Sequence, residues 1–499
     1  MNAPLRRVGV VVLVMFGLLF GRLNWVQGYK ADDYRNSDYN GRVQVAEYER
    51  RRGNIEAGGV AIAASKETES RLKFQRTYPE GPLYAHVLGY KPVNMAATGI
   101  EKSENEFLAG TADQLFVDRL RDMFTGSRTA GGNVLLTISP RAQQAAYQQL
   151  TKNRVGADRG AAVALDPRTG ALQALVSMPS FDPNPMVGHD TAAAFAAYEK
   201  LRDAKGEPLR NRALAEVLPP GSTFKVIVAA AALENGYTKD TMIPAGPVWR
   251  PPTAGEDIRN AARHICPEPQ VSLIEALTES CNTGFAKLGV ELGADTLKET
   301  ARKFGFEDDD LTVGRLNGGG IPVAASRTGD IQNPDGSPDP AGLAQSSIGQ
   351  KDVRMTPLEG AMIAAAVAND GRQMRPYLVQ QLLGPDRTTN YYTAAPRELR
   401  EPVDSRVAAE LRTMMVSVVE HGTGRNARIS GYTVGGKTGT AQDGDRENHG
   451  WFIGFVLRDG EPISAVAVVL EEAGDGGSAE AARIAGQIMR AVIQDRGGR

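Results

Sequence analysis

One uninterrupted apolar stretch, residues 226–233, constrains the fold of this 499-residue chain more than any other feature. It follows a Pro-Pro-Gly sequence at residues 219–221, which favours an extended or turned approach, and it is closed by Asn235-Gly236, a common helix stop. The stretch predicts a helix that is apolar on nearly every face. Such a helix has to be buried in the middle of a domain, so the chain must build a core around it.

The first turn of this predicted helix carries a hydroxyl and an amine. Ser222, a natural N-cap or first-turn residue, and Lys225 are three positions apart, so they lie on one face. An amine at the end of a buried apolar helix is poorly solvated and is neutral often enough to accept the serine proton. An isolated S-x-x-K is more often a capping serine with a surface lysine, and the second copy, Ser70 to Lys73, has no apolar run behind it.

A second block, Ser-Cys-Asn at residues 280–282, fits a loop between two helices. Asn282 offers donors and an acceptor to a substrate amide, and the Ser280 hydroxyl could pass a proton between Lys225 and a leaving amine. Serine and asparagine in a loop are most often turn formers. The chain contains another S-x-N at residues 103–105, so the block indicates chemistry only together with its neighbours.

A third block, Lys437-Thr438-Gly439, lies on a predicted strand of small residues, which another backbone can approach closely. A peptide could bind along Thr438, Gly439 and Thr440 as an added edge strand, with Lys437 and Thr438 attracting its terminal carboxylate. The backbone N–H groups of Ser222 and Thr440 could form an oxyanion hole. Alone, the block would read slightly better as a glycine-rich turn with a solvated lysine. Together, the three blocks supply what acyl transfer through a serine ester requires.

The order, spacing and flanks of these blocks resemble the transpeptidase domain of penicillin-binding proteins, from about residue 160 to the C-terminus. The preceding segment resembles class B of that family. Residues 51–55 are similar to its R-G-x-I block, and residues 99–101 with 108–110 to its G-I/L-E…L-x-G block. Glu56-Ala57 stands where the family usually has Asp-Arg, and residues 347–350 match its glycine-containing segment only loosely.

The resemblance implies a peptidoglycan D,D-transpeptidase of the actinobacterial cell-division type. It implies that Ser222, deprotonated by Lys225, attacks the carbonyl between two D-alanines of a stem peptide, with Ser280 relaying a proton to the leaving amine. Lys437 would hold the carboxylate of the departing D-alanine. A β-lactam would mimic the first step and leave a slowly hydrolysed ester. No metal or cofactor is expected.

The predicted elements place this chain in the α+β class. Two hairpins, around residues 166–170 and 459–460, and the Lys437 strand give five strands, two early and three late around a helical middle. We expect the family's penicillin-binding transpeptidase fold: a five-stranded antiparallel sheet packed with helices on both faces. An N-terminal α/β pedestal and a membrane anchor would precede it.

The expected domains are a cytoplasmic tip and signal anchor at residues 1–29, a dimerisation-like pedestal at 30–155 and the transpeptidase domain at 156–499. Residues 126–132 read as a linker or loop. Residues 308–340 are rich in Gly, Asp and Pro, so we expect a mobile surface insert rather than core.

The N-terminus carries an apolar run. Residues 8–20 are too short for a full span, which needs about 20 residues. The run can be extended past Arg22, which would snorkel, and Trp25, which would sit at the interface. A cleaved signal peptide is the alternative, but no A-x-A site follows, so we favour an uncleaved anchor. Arg6-Arg7 would remain cytoplasmic and the catalytic domain would face outward.

The two cysteines, Cys266 and Cys281, suggest a disulfide in an oxidising compartment. Closing a loop of about 15 residues would contribute about 3 kcal/mol by the chain-entropy argument, less any strain. Such a bridge would also hold the Ser280 loop still. The alternative is two buried thiols.

Composition excludes other classes of function. A net charge of −2 with no Lys/Arg cluster gives nucleic acid little to bind. Five histidines without H-E-x-x-H or Cys/His spacing make a zinc site improbable.

The partners implied by the resemblance are peptidoglycan stem peptides, β-lactam antibiotics, membrane lipid through the anchor, and a membrane glycosyltransferase or divisome proteins. Three alternatives stay open: a D,D-carboxypeptidase that uses water as acceptor, a β-lactamase, and a cell-wall scaffold with a vestigial acyl site.

Overall fold

The structure, a computed structural model, describes residues 2–30, 34, 47–116, 130–332, 337, 339–442, 444 and 446–497. Most of the linker expected at residues 126–132 lies outside the described residues. The described chain forms two principal sheets, several short strand pairs and a series of helices.

The strands of the two principal sheets are, in chain order, β1 (Ile55–Ala57), β2 (Val60–Glu67), β3 (Phe74–Thr77), β4 (Asn133–Leu136), β5 (Arg159–Leu165), β6 (Leu172–Met178), β7 (Val379–Leu383), β8 (Asn390–Thr393), β9 (Thr433–Ala441), β10 (His449–Arg458) and β11 (Glu461–Glu471). The short pairs are Met242–Pro244 with Gln270–Ser272, Val248–Trp249 with Ile258–Arg259, Thr312–Gly314 with Gly320–Pro322, and Gln373–Met374 with Glu398–Arg400.

The α-helices are, in chain order, α1 (Asn2–Asn24), α2 (Gly81–Leu88), α3 (Gly99–Ser103), α4 (Asn105–Ala109), α5 (Pro140–Thr151), α6 (Thr191–Arg202), α7 (Arg212–Ala215), α8 (Lys225–Glu234), α9 (Leu273–Thr278), α10 (Asn282–Leu292), α11 (Ala294–Phe304), α12 (Pro340–Ser346), α13 (Pro357–Ala368), α14 (Ser405–Glu420) and α15 (Gly477–Asp495). Short 3-10 turns lie at Asp113–Leu115, Asn184–Val187, Gly221–Phe224 and Arg425–Ala427.

The larger domain is built on a five-stranded sheet in the order β9-β10-β11-β5-β6, and every neighbouring pair is antiparallel. This confirms the predicted arrangement of two early and three late strands. The β10–β11 hairpin turns at Asp459 and Gly460, both with positive φ, which matches the right-handed twist of the flanking strands. The Lys437 strand, β9, is one of the two edge strands of this sheet, as the expected binding of a peptide along it requires.

Helices cover both faces of this sheet, because both faces are apolar. Along β10, Trp451 and Ile453 belong to one core cluster while Phe452 and Val456 belong to the other. Helix α13, whose residues are all buried, packs on the first face, and α5 and α15 pack on the second. Helix α8 is buried from Lys225 onward, as expected, but it packs among α9, α10, α11 and α14.

The pedestal contains a six-stranded mixed sheet in the order β8-β7-β4-β1-β2-β3. Strands β7 and β8 come from residues 379–393, far beyond the expected boundary at residue 155. They extend the sheet because β7 pairs antiparallel with β4, from Val379 opposite Leu136 to Leu383 opposite Asn133. The pedestal sheet is therefore not confined to residues 30–155, and the chain crosses between the two domains more than once.

The stretch expected to be a mobile surface insert is packed over residues 308–332, so the expectation that it lies outside the core is wrong there. Val313 and Ile331 are buried, and Thr312–Gly314 pairs with Gly320–Pro322. Arg315 donates from Nε to Glu104 Oε1 of the pedestal at 3.1 Å.

Helix α1 continues as a π-helix over Trp25–Tyr29. The continuous helical segment Arg6–Tyr29 is long and apolar enough to cross a membrane, and none of its residues is buried against the rest of the protein. An apolar helix without a protein partner is what a membrane-anchoring segment requires.

Candidate active site

The Ser222 turn is clamped between two other backbone segments. Ser222 lies in the 3-10 turn that leads into α8, so it is a first-turn residue. Gly221, at φ +53°, donates its N–H to the Gly349 carbonyl at 2.9 Å. A Cβ on Gly221 would lie 2.4 Å from the Thr440 carbonyl oxygen, and a Cβ on Gly349 would lie 1.9 Å from the Gly221 oxygen. Only glycines allow such close approaches. The segment at residues 347–350, which matches the family's glycine-containing segment only loosely, therefore contacts and supports the Ser222 turn directly.

The Lys225 amine is fully buried and is held by the Ser280 loop. It donates to the Ser280 carbonyl at 2.9 Å, to the Ser280 hydroxyl at 3.2 Å and to Asn282 Oδ1 at 2.7 Å. Burial lowers its pKa to about 7. Across the described residues, the Ser222 hydroxyl forms no hydrogen bond. The contact between Lys225 and the Ser280 hydroxyl is the one that the proposed proton relay requires. The hydrogen bonds of the amine to the Ser280 carbonyl and to Asn282 Oδ1 were not anticipated from the sequence.

Ser280 occupies the loop between α9 and α10, as predicted, with a left-handed φ of +63°. Its hydroxyl oxygen accepts hydrogen bonds from two amines, Lys225 Nζ at 3.2 Å and Lys437 Nζ at 2.9 Å. Since both acceptor positions are occupied by the lysines, the hydroxyl proton is free to be donated elsewhere. This arrangement suits a group that passes a proton between a lysine and a substrate.

Lys437 is also buried, on the edge strand β9. Burial, and the nearby charge of Lys225, hold the pKa of Lys437 well below its usual range. A carboxylate bound beside it would favour the charged form and raise that pKa again. A Cβ at Gly439 would lie 2.5 Å from the Pro220 carbonyl oxygen, which explains why β9 needs small residues where it meets the Ser222 turn.

Two residues that the sequence analysis did not identify hold the motif residues in place. Thr423 forms a hydroxyl–hydroxyl hydrogen bond of 2.5 Å with Thr438. Asn260 Oδ1 accepts the backbone N–H groups of Asn282 at 2.8 Å and Thr283 at 3.1 Å, and so caps α10. Thr423 lies outside the Lys437 block and Asn260 lies outside the Ser280 block. The spacing of the motifs therefore did not identify either residue.

The predicted disulfide is not present. Cys266 and Cys281 are both buried free thiols, as in the alternative interpretation. A hydrogen bond between the two thiols raises the pKa of Cys266. Each cysteine packs as a small apolar residue in the main core cluster, so the loop is held by packing and by Asn260 rather than by a covalent bond.

Comparisons with known proteins agree with this geometry. Residues 160–490 match the penicillin binding protein transpeptidase domain, and residues 52–134 match the penicillin binding protein A dimerisation domain. The peptidoglycan D,D-transpeptidase PbpA of Mycolicibacterium smegmatis is 43% identical over 498 residues, covering 99% of this chain and 98% of that protein. PbpA of Mycobacterium tuberculosis is 41% identical over 499 residues, with 99% of each covered.

Solved structures show the same relationship. The crystal structure of penicillin-binding protein A from M. tuberculosis has a TM-score of 0.83 and covers 90% of this chain and 100% of its own. The ceftriaxone acyl-enzyme complex of that protein has a TM-score of 0.84 at 41% identity, with the same coverage. The resemblance inferred from the motifs is confirmed, and the chain belongs to the class B penicillin-binding proteins, a family of peptidoglycan D,D-transpeptidases.

Proposed function

We propose that this transpeptidase cross-links stem peptides through an acyl-enzyme on Ser222, and that β-lactams react with the same serine. The observation that carries the proposal is the Ser280 hydroxyl, which lies between the amines of Lys225 and Lys437 next to the Ser222 turn. The relative from M. tuberculosis has been solved as acyl-enzyme complexes with ceftriaxone, imipenem and penicillin G, so the fold is compatible with this chemistry.

In the first step, neutral Lys225 accepts the Ser222 proton as the serine oxygen attacks the carbonyl between two D-alanines. With a pKa of about 7, the amine is neutral in a large fraction of molecules at neutral pH. The N–H groups of Ser222 and Thr440 are the proposed oxyanion hole. The short distance from the Gly221 Cβ position to the Thr440 carbonyl oxygen supports this pair of N–H groups, because it shows that the backbones of the Ser222 turn and β9 are in contact.

In the second step, the Ser280 hydroxyl donates its proton to the departing D-alanine amine. Ser280 is then reprotonated from the lysines that hydrogen-bond to it. Lys437 and Thr438 hold the leaving carboxylate, and the substrate backbone lies along Gly439 and Thr440. An amine of a neighbouring stem peptide then attacks the Ser222 ester and gives up a proton to the neutral Lys225 amine. The bond to the Ser222 oxygen breaks, and this oxygen takes the proton from Lys225, which regenerates the free enzyme.

Asn282 orients both lysine and substrate. Its Oδ1 accepts from Lys225 Nζ and its Nδ2 donates to the Arg259 carbonyl at 2.9 Å, which fixes the orientation of the amide. An amide NH₂ has a second hydrogen, and we assign that hydrogen to a carbonyl of the stem peptide.

We further propose that α1 remains as a membrane anchor, with Arg6-Arg7 in the cytoplasm and the pedestal and transpeptidase domains outside the cell. We propose the domain order expected from the sequence: anchor, pedestal and transpeptidase domain, with boundaries after residues 29 and 155. Strands β7 and β8 return from the third of these segments to the pedestal sheet. The pedestal is then the surface we propose for a membrane glycosyltransferase or divisome proteins.

The test is covalent labelling of the full-length protein, in detergent, with fluorescent penicillin. We expect the S222A variant to lose the label completely. The S70A variant changes the other S-x-x-K serine, and it should label like the wild-type protein. Equal thermal unfolding midpoints would show that both variants are folded. A label that persists on S222A would assign the nucleophile to another residue and would refute the proposal.

A further inference from the structure

A small cavity in the pedestal is lined by more cations than carboxylates. Its wall includes Arg50, Arg52, Arg76 and Lys91 together with Glu47, and its volume is about 20 Å³. That volume accommodates one water-sized species and excludes a phosphate or a sulfate. The cavity is separate from the transpeptidase site, which lies in the other domain.

The buried charges around this cavity do not balance. Arg52, Arg76 and Lys91 are at most 11% exposed at their side chains. Glu101 pairs with Arg52 at 2.8 Å and with Arg76 at 2.5 Å, and Glu47 pairs with Arg52 and Lys91 at 3.4 Å each. Three cations therefore share two carboxylates among the residues that the structure describes. The excess positive charge is costly in a buried site, and burial accordingly lowers the pKa of Lys91. An anion bound in the cavity would favour the charged form of this amine.

The same site contains an unsatisfied donor. Arg76, 2% exposed, donates from Nε to Glu101 and from Nη1 to the Gly53 carbonyl at 2.7 Å. Its Nη2 is buried and has no hydrogen-bond partner in the described part of the chain. Arg76 is also one of the residues that line the cavity, so an acceptor bound there is in a position to satisfy this nitrogen. A water molecule would satisfy this donor but not the charge.

We infer that this cavity binds one monatomic halide anion, hydrogen-bonded to Arg76 Nη2. A halide supplies both the missing acceptor and the missing negative charge, and it is small enough for the volume. Because Arg52, Arg76 and Glu101 join separate pedestal segments, the anion would stabilise the pedestal and would not take part in acyl transfer.

The first test is crystallographic. Crystals of the full-length protein grown with bromide in place of chloride should show an anomalous peak in this cavity, in contact with Arg76 Nη2. Density without an anomalous signal would identify a water molecule and would overturn the inference.

The second test is thermal unfolding of the full-length protein in detergent, with chloride replacing gluconate at constant ionic strength. We expect a saturable rise of about 2 °C in the unfolding midpoint, because binding to the folded state alone stabilises it. The K91M variant removes the excess cation and should lose this rise. The K102M variant, on an exposed position of α3, is the matched control and should keep it. No chloride-specific rise in wild type, or an equal rise in K91M, would overturn the inference.

Discussion

The chain contains two S-x-x-K sequences, and they differ in what is packed behind them. Ser70 is exposed and its hydroxyl contacts the Leu72 carbonyl and His189 Nδ1, each at 2.7 Å, while Lys73 is exposed. Ser222 precedes a helix whose residues are buried from Lys225 to Leu233. The four-residue motif is the same in both places, so the apolar helix is what makes one lysine poorly solvated.

The two S-x-N sequences make the same point. Asn105 Oδ1 accepts from Arg52 Nη1 at 2.9 Å, beside the ion pair of Arg52 with Glu101, and in the described part of the chain no lysine amine binds this copy. The Ser280 copy combines a left-handed serine with two buried amines. The sequence motifs therefore identify candidate residues, and the buried amines that surround one copy identify the catalytic site.

The largest expected effect comes from removing the amine in each S-x-x-K copy. The K225M variant should lose about 10²- to 10⁴-fold in the rate of acylation by fluorescent penicillin, because the serine loses its general base. The K73M variant should acylate at the wild-type rate. The measurement is the time course of acylation by fluorescent penicillin, taken for both variants and for the wild-type protein. Equal losses in the two variants would contradict the distinction drawn between the copies.

The pH dependence sharpens the same comparison. Burial lowers the pKa of Lys225 to about 7, whereas an exposed lysine titrates near 10.4. The base must be neutral to act, so the acylation rate should level off above this pKa and fall about tenfold per pH unit below it. Unfolding midpoints over the same range exclude a loss of folded protein. A rate that is flat through this region would assign the base role to a group with a different pKa.

The parts of the fold that follow from local patterning were predictable from sequence. The buried helix at residues 226–233, the edge strand carrying Lys437 and the two hairpins of the sheet all follow from apolar runs and turn residues. The three motif blocks meet because these elements are packed together.

The remaining features depend on contacts between distant segments. The sequence does not reveal that Gly349 supports the Ser222 turn, because both its positive φ and its close approach to the Gly221 carbonyl are set by contacts between distant segments. Nor does it show that β7 and β8 join the pedestal, since the hairpin pattern does not specify which sheet it extends. The disulfide was inferred from compartment and cysteine number, and neither fixes whether two thiols are bridged.

A smaller but still large loss of acylation rate is expected when the backbone contacts of the Ser222 turn are disrupted. In the G349A variant, the new Cβ would lie 1.9 Å from the Gly221 oxygen, so the Ser222 turn must move. A displacement of about 1 Å can reduce catalysis about 10²-fold, and we expect a loss of that size in the acylation rate.

The matched control is G236A, at the end of the same helix. Gly236 also has a positive φ, +89°, but nothing lies within 4 Å of its Cβ position. Both variants should lose about 1–3 kcal/mol in the free energy of unfolding from backbone strain. Only G349A should lose acylation, so an equal loss in both would mean that strain rather than displacement of the nucleophile is responsible.

The smallest effect is expected at Asn260, which caps the helix that begins at Asn282. The N260A variant leaves the N–H groups of Asn282 and Thr283 without their acceptor, at a cost of about 1 kcal/mol in the free energy of unfolding. Because Asn282 also holds Lys225, we expect a several-fold lower acylation rate, with the affinity for penicillin changed little.

The N260D variant separates the cap from the loop contacts. Aspartate retains the acceptor for the two N–H groups but loses the Nδ2 donor to the Gly246 and Ile265 carbonyls. If capping positions Asn282, N260D should keep most of the acylation rate while losing stability through the unpaired carbonyls. If N260D instead acylates as slowly as N260A, then the contacts to the loop, and not the helix cap, hold the amide against the Lys225 amine.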